Sequence, residues 1–242
     1  GFNNEEVEID KLIFSIHSYY AFLIKLLTID ILFHYHNQDY KFLDKAYYNS
    51  KEGLYEYLLS IENGGKFNEL GISNFLEGDF FSWYLVNWNE DIFEICSKIV
   101  DEFNEYDYST VHLDEENTRD LLKNLYHHLL PRQLRHALGE YYSPDWLAQL
   151  TYEELGINGD INKSILDPCV GSGTFLVIAI NNIIEKNPDV EKEILVKKIL
   201  DNVTGYDLNP LAVISARANY IIALGSLIME TKEKIEIPVY LC

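Results

Sequence analysis

Apolar residues recur at intervals of three and four along residues 7–33 and again along 92–103, the periodicity of helices that turn one face to a core. The same texture extends from residue 5 to about 138, and this part of the chain is predicted to be helical. Its breaks, around Asn63-Gly64-Gly65 and from Gly71 to Gly78, are ordinary turn chemistry. Asp114 suits the N-cap of a helix with Glu115 and Glu116 in its first turn and His127 and His128 in its last, the charge order that the helix dipole favours. Pro131 restarts a short helix that Gly139 can end. The most apolar stretch, residues 12–33, is interrupted by His17, Lys25 and Asp30, so it reads as a buried helix and not as a membrane span.

After Gly139 the pattern changes to short apolar runs that alternate with helical segments, the signature of βαβ units. Strands are predicted at 164–166, 203–206 and 235–241, and helices at 174–186, about 190–200, and 210–228. The expected organisation is an all-helical N-terminal domain over residues 1–138 and an α/β domain over 139–242.

Composition narrows the function. The chain has 242 residues, 48% of them hydrophobic, which is enough for a substantial core. Cys96, Cys169 and Cys242 are too few and too scattered for a disulfide framework or a zinc site; they fit a reducing compartment, and no metal is implied. The first residues show no basic, apolar and cleavable leader pattern, so the expected location is cytoplasmic, with no membrane partner. A formal net charge of −20 repels a polyanion, which makes this chain by itself a poor nucleic-acid binder. The 18 tyrosines sit mostly in apolar patterns and are assigned to packing, not base stacking. One basic cluster, Lys123, His127, His128, Arg132, Arg135 and His136, is assigned mainly to pairing with local carboxylates and completing helix C-termini.

The stretch Ile165-Leu166-Asp167-Pro168-Cys169-Val170-Gly171-Ser172-Gly173-Thr174 reads as a strand, a glycine turn and a helix start. Gly171 and Gly173 can adopt positive φ and let a ligand approach the backbone, and the helix from Thr174 aims its amides at the same place. On the next strand Asp207 stands at the C-terminal end, before an N-cap, Asn209, and a first helical residue, Pro210. A carboxylate there can accept both hydroxyls of a ribose. Two features argue against a dinucleotide: the third glycine of that fingerprint is missing, and Asp207 lies farther from the glycines than the usual ~20 residues. Asp167, just before the turn, would repel a pyrophosphate but pair with an ammonium group. The ligand should carry a ribose and a positive charge.

Asp167-Pro168-x-x-Gly171-Ser172-Gly173-Thr174-Phe175-Leu176 followed by Gly205-x-Asp207-x-Asn209-Pro210 resembles the cofactor half of adenine-N6 DNA methyltransferases of the type I and type IIG restriction-modification and phage-defence group. Upstream, Gly139-Glu140-Tyr141-Tyr142-Ser143-Pro144 resembles that family's Gly-x-Tyr-Tyr-Thr-Pro, with serine in place of threonine. The resemblance covers about residues 132–225. It implies an S-adenosylmethionine-dependent, Rossmann-like sheet. It also implies that Asp167, with backbone groups around Gly171 and Gly173, holds the methionine amino end of S-adenosylmethionine, that Asp207 takes the ribose hydroxyls, that Tyr141, Tyr142, Ser143 and Pro144 close over the methionine end, and that Pro168, Thr174 and Leu208 belong to the same cofactor site. Ser143 is expected to be the N-cap of the helix that Pro144 begins.

The family's Asn/Asp-Pro-Pro-Tyr/Phe motif, which stacks the flipped base and polarises its amino group, does not occur here. No catalytic residue is therefore assigned. The chain is expected to be a piece of a longer methyltransferase whose sheet is incomplete at the C-terminus, inactive by itself, with DNA gripped by other regions and a specificity subunit or domain as a candidate partner. The alternatives are an RNA methyltransferase and a non-catalytic helical scaffold with a vestigial nucleotide fold.

Overall fold

The computed structural model describes residues 8–36, 49–76, 80–105, 129 and 143–242. The order of elements is α1 (Ile9–Tyr35), α2 (Lys51–Glu62), α3 (Gly65–Glu69), α4 (Trp83–Val86), α5 (Glu90–Glu105), α6 (Asp145–Glu154), β1 (Ile165–Asp167), α7 (Thr174–Lys186), α8 (Lys192–Asn202), β2 (Val203–Asp207), α9 (Pro210–Leu224), a 3-10 turn (Gly225–Glu230) and β3 (Val239–Leu241). The expected helices over 7–33, 92–103 and 174–186 are present. The elements predicted around Asp114 and Pro131, the basic cluster, Tyr141 and Tyr142 lie outside the described residues.

The three strands form one parallel sheet in the order β1-β2-β3. Ile165 stands opposite Val203 and Asp167 opposite Gly205, while Gly205 pairs with Val239 and Asp207 with Leu241. Alternation along a strand then sorts the side chains. Val203, Gly205 and Val239 share the face covered by helices, where Val203 and Val239 are fully buried. Leu166, Tyr206 and Tyr240 share the opposite face, where Leu166 is 60% exposed and the two tyrosine rings lie 5.7 Å apart. Two consecutive parallel crossovers in the same direction bring α7 and α9 to the same side, and among the described residues no helix covers the other side.

Three expectations need correction. The third strand was predicted over 235–241 but runs only from Val239 to Leu241. Ile235 makes an isolated bridge to Ile72, and Pro238, with no amide hydrogen, follows an Ile237 whose amide is taken by the Asn74 side chain. The helix predicted over 210–228 ends at Leu224 and tightens into the 3-10 turn. The loop from Gly71 onward, expected to be plain turn chemistry, is bonded to the segment that leads into β3: the Gly71 carbonyl accepts from the Ile235 amide, the Ser73 amide and hydroxyl donate to the Ile235 carbonyl, and Asn74 Nδ2 donates to the Ile237 carbonyl.

Helix α1 packs along α9, and one hydrophobic core runs through both. Helix α1 and the span Pro210–Glu230, which is α9 with its 3-10 turn, are long and apolar enough to cross a membrane by length and composition, but 56% and 83% of their most apolar stretches are buried within this core. Charged residues in the core find partners. Lys25, 3% exposed, pairs with Glu62 of α2, and Glu62 also accepts from the Tyr84 hydroxyl at 2.7 Å. Burial and then the Glu62 charge push the Tyr84 phenol well above its ordinary pKa, so it stays a donor.

Arg217 of α9 is completely buried. Its Nε and Nη2 donate to the Val239 carbonyl of β3, and its Nη1 donates to the Phe75 carbonyl at 3.3 Å, so a single side chain ties the helical segment to the sheet. Replacing it by methionine keeps the length and strands both carbonyls. Arg217→Met should lower folding stability by about 3 kcal/mol in urea titration, whereas the exposed Lys98→Ala should change it by less than about 0.5 kcal/mol.

Candidate functional site

Asp167 and Asp207 end neighbouring parallel strands, and by the strand register both lie on the helix-covered face. The glycine turn from Pro168 to Gly173 runs between them into α7. Gly171 (φ 53°) and Gly173 (φ 88°) both occupy the left-handed region, which an L-side chain enters only with strain. The turn is held from three sides. From β2, the Val170 amide donates to the Tyr206 carbonyl at 2.9 Å, and the Gly171 amide donates to Asp207 Oδ2 at 2.9 Å. From within, the Gly173 amide donates to the Val170 carbonyl at 2.8 Å. From α9, Asn219 Nδ2 donates to the Ser172 carbonyl at 2.8 Å.

Close packing supports these bonds. A Cβ on Gly205 would come within 2.7 Å of Val170 and 2.9 Å of Leu176, so the bare backbone of β2 is what lets the turn settle on the strand. A Cβ on Gly173 would lie 3.3 Å from Ala216 of α9. A Cβ on Gly171, in contrast, would meet nothing within 4 Å. The turn is therefore packed tight beneath and open at Gly171, which is the shape of a cradle.

Asp207 does more than stand on the rim. Its Oδ2 takes the Gly171 amide, and its Oδ1 takes the Asn209 amide at 2.9 Å. An ionised carboxylate has roughly four acceptor directions, so two remain for a ligand. Asn209 is the expected N-cap, accepting from the Leu211 amide at 2.9 Å, and Pro210 opens α9. Asp167 Oδ1 accepts from the Cys169 amide at 3.1 Å. Partial burial raises the Asp167 carboxyl above its ordinary pKa, the Cys169 amide pulls it back, and the Asp207 charge raises it again. The turn thus has a carboxyl group on each side, a setting that suits a cation.

The start of α6 differs from expectation. Ser143 was expected to cap this helix with Pro144 as its first residue; instead Pro144 is the boundary residue, with ψ 144°, and no side chain caps the helix. Pro144 is extended, and its carbonyl receives the Leu147 and Ala148 amides, so the helix starts one residue later. Helix α6 nevertheless reaches the site. The Tyr152 hydroxyl donates to the Phe175 carbonyl at 2.9 Å, and its phenol pKa is raised by burial and then by the charge of Asp167.

Of the residues expected at the site, the structure gathers Asp167, Pro168, Gly171, Gly173, Thr174, Asp207 and Leu208 around one turn. Leu208 is 80% exposed beside Asp207. Sequence reasoning passed over Asn219, Ala216 and Gly205 as structural agents. Asn219 had a legible signal, a lone amide in the apolar run Ala218-Asn219-Tyr220-Ile221. Two cavities of about 410 Å³ open elsewhere, one beside Glu62, Asn68 and Ser73, the other beside Lys51, Tyr55 and Trp88. Neither includes a residue of the turn.

Residues 117–226 match the family model described as N-6 DNA Methylase, a little under half of the chain and a segment that contains all three motifs. No curated protein matches the chain. Among solved structures, a DrdV–DNA complex determined by cryo-EM aligns with 93% of this chain at 15% identity and a TM-score of 0.41. The chain spans 20% of that protein's length.

Proposed function

We propose that the glycine turn with Asp167 and Asp207 binds S-adenosylmethionine, and that the chain is the cofactor-binding part of an enzyme that methylates adenine N6 in DNA. One observation carries the reading: two carboxylates at adjacent strand ends flank a glycine turn that is packed against α9 at Gly173 and open at Gly171. The family match over residues 117–226 supports the DNA methylase half.

The residues fit the cofactor. Asp167, destabilised as an anion by burial and by Asp207, offers its charge to the methionine ammonium. The amides that open α7 at Thr174 and Phe175 lack intrahelical partners, which suits the methionine carboxylate. The unused acceptor directions of Asp207 suit the ribose hydroxyls, and exposed Leu208 offers an apolar surface to the adenine. Ser143 and Pro144, with Tyr141 and Tyr142, would cover the methionine end. When bound, the cofactor supplies an electrophilic methyl group on a sulfonium. The residues of this chain hold and orient it, while base recognition and the Asn-Pro-Pro-Tyr function, absent from this sequence, belong to other parts of the enzyme. Such an enzyme works where DNA is, and the reading places it in the cytoplasm. In a restriction-modification or phage-defence system, a specificity subunit or domain would choose the DNA site.

Asp167→Asn separates binding from stability. The amide keeps an oxygen for the Cys169 N–H and removes one of two mutually repelling carboxylates, so the thermal midpoint should hold or rise. Affinity for S-adenosylmethionine, measured by calorimetric titration, should fall at least about tenfold, the worth of one lost charge-assisted bond. A scaffold without a cofactor predicts no binding by either form.

The pH dependence follows from the raised pKa of Asp167. Its folded-state pKa lies above the unfolded value, so the folded state prefers the proton; this contribution to stability is present at low pH and is lost as pH rises through that window. A bound cation prefers the ionised form. Affinity for S-adenosylmethionine should therefore weaken as pH falls through the carboxyl range, and the Asp167→Asn variant should lose most of that pH dependence in the same titration.

A further inference from the structure

Asn219 lies one helical turn beyond Ala216 on α9, and the two form the floor beneath the glycine turn. Ala216 meets Gly173 by contact, and Asn219 meets Ser172 by a hydrogen bond of 2.8 Å from Nδ2 to the carbonyl. Because the Ser172 carbonyl can only accept, the amide nitrogen must face it, and this fixes which way round the side chain sits. The other half of the same amide is stranded. Asn219 is 4% exposed, and its Oδ1 has no hydrogen-bond partner among the described residues.

A buried amide that satisfies only its donor is a net burden compared with an apolar side chain of the same shape. Ala216, Ala218, Ile222 and Ala223 lie beside it on α9, and leucine would occupy the position without that burden. What asparagine adds is a hold on one carbonyl, that of the residue between the two left-handed glycines. Drawing this carbonyl toward α9 fixes the orientation of the Ser172–Gly173 peptide where α7 begins. The opposite side of the turn is fixed by Asp207, through the Gly171 amide.

We propose that Asn219 is a positioning residue of the cofactor site, clamping the glycine turn from beneath while Asp207 clamps it from the strand. Its consequence for binding rests on the S-adenosylmethionine reading, whereas its hold on the turn does not.

The test compares wild type, Asn219→Leu and Asn219→Asp by hydrogen exchange of residues 169–176 in the ligand-free chain, with thermal melting and S-adenosylmethionine titration on the same samples. Leucine removes both the useful donor and the stranded acceptor. The turn should exchange about fivefold faster, as expected for one lost bond, while the melting midpoint holds or rises and cofactor affinity falls by a similar factor. Aspartate loses the donor when ionised and regains an O–H donor when protonated. Its protection, corrected for intrinsic exchange, should return toward the wild-type value as pH falls. Unchanged protection in both variants, or protection lost in step with the whole fold, overturns the proposal. Wild type that binds no S-adenosylmethionine overturns the cofactor reading, and the exchange data still decide whether Asn219 holds the turn.

Discussion

The site depends on one carboxylate that serves two backbone segments at once. Asp207 receives the Gly171 amide of the glycine turn and the Asn209 amide that leads into α9, so the end of β2 sets both the position of the turn and the start of the next helix. Bonds from an ionised acceptor to backbone amides are among the stronger hydrogen bonds in proteins. The remaining supports act on what Asp207 has placed. Val170 settles against bare Gly205, Gly173 against Ala216, and the Ser172 carbonyl against Asn219. A ligand that also used Asp207 would contact the group that shapes its own cradle.

The helical segment serves the same end at longer range. Helix α1 lies along α9, and Arg217 reaches from α9 to the carbonyls of Val239 and Phe75. Helix α9 is thus packed on one side by the helical core and on another by the glycine turn. The three-stranded sheet offers too little surface to bury α9 by itself, and the N-terminal helices supply the rest. The open sheet face, with Leu166, Tyr206 and Tyr240, has no such cover among the described residues.

Much of this was legible in the chain because it rests on local rules. Gly171 and Gly173 mark left-handed positions, Asn209-Pro210 marks a helix start, and alternating apolar runs mark parallel strands. The less legible parts depend on which segments meet. The shortening of β3 follows from Asn74 and Ile72 reaching the segment before it, a contact across more than 160 residues that no local pattern encodes. The start of α6 at Asp145 turned on whether Pro144 would take a helical or an extended ψ, a choice proline leaves open. Asn219 and Arg217 are polar residues in an apolar helix, and only the neighbouring backbone carbonyls give them their purpose. The two-sided use of Asp207 was likewise hidden, since a residue suited to ribose hydroxyls and one suited to backbone amides have the same side chain.

The central claim is that the turn between β1 and α7 is where S-adenosylmethionine binds. The most direct measurement is an amide chemical-shift map of the chain titrated with S-adenosylhomocysteine, which keeps the ribose, adenine and amino-acid end but cannot donate a methyl group. The account predicts saturable shifts concentrated at Gly171, Gly173, Thr174 and Leu208, with smaller ones at Ser172 through its bond to Asn219. Saturable shifts confined to the helical segment, or none at concentrations that saturate other methyltransferases, would contradict it.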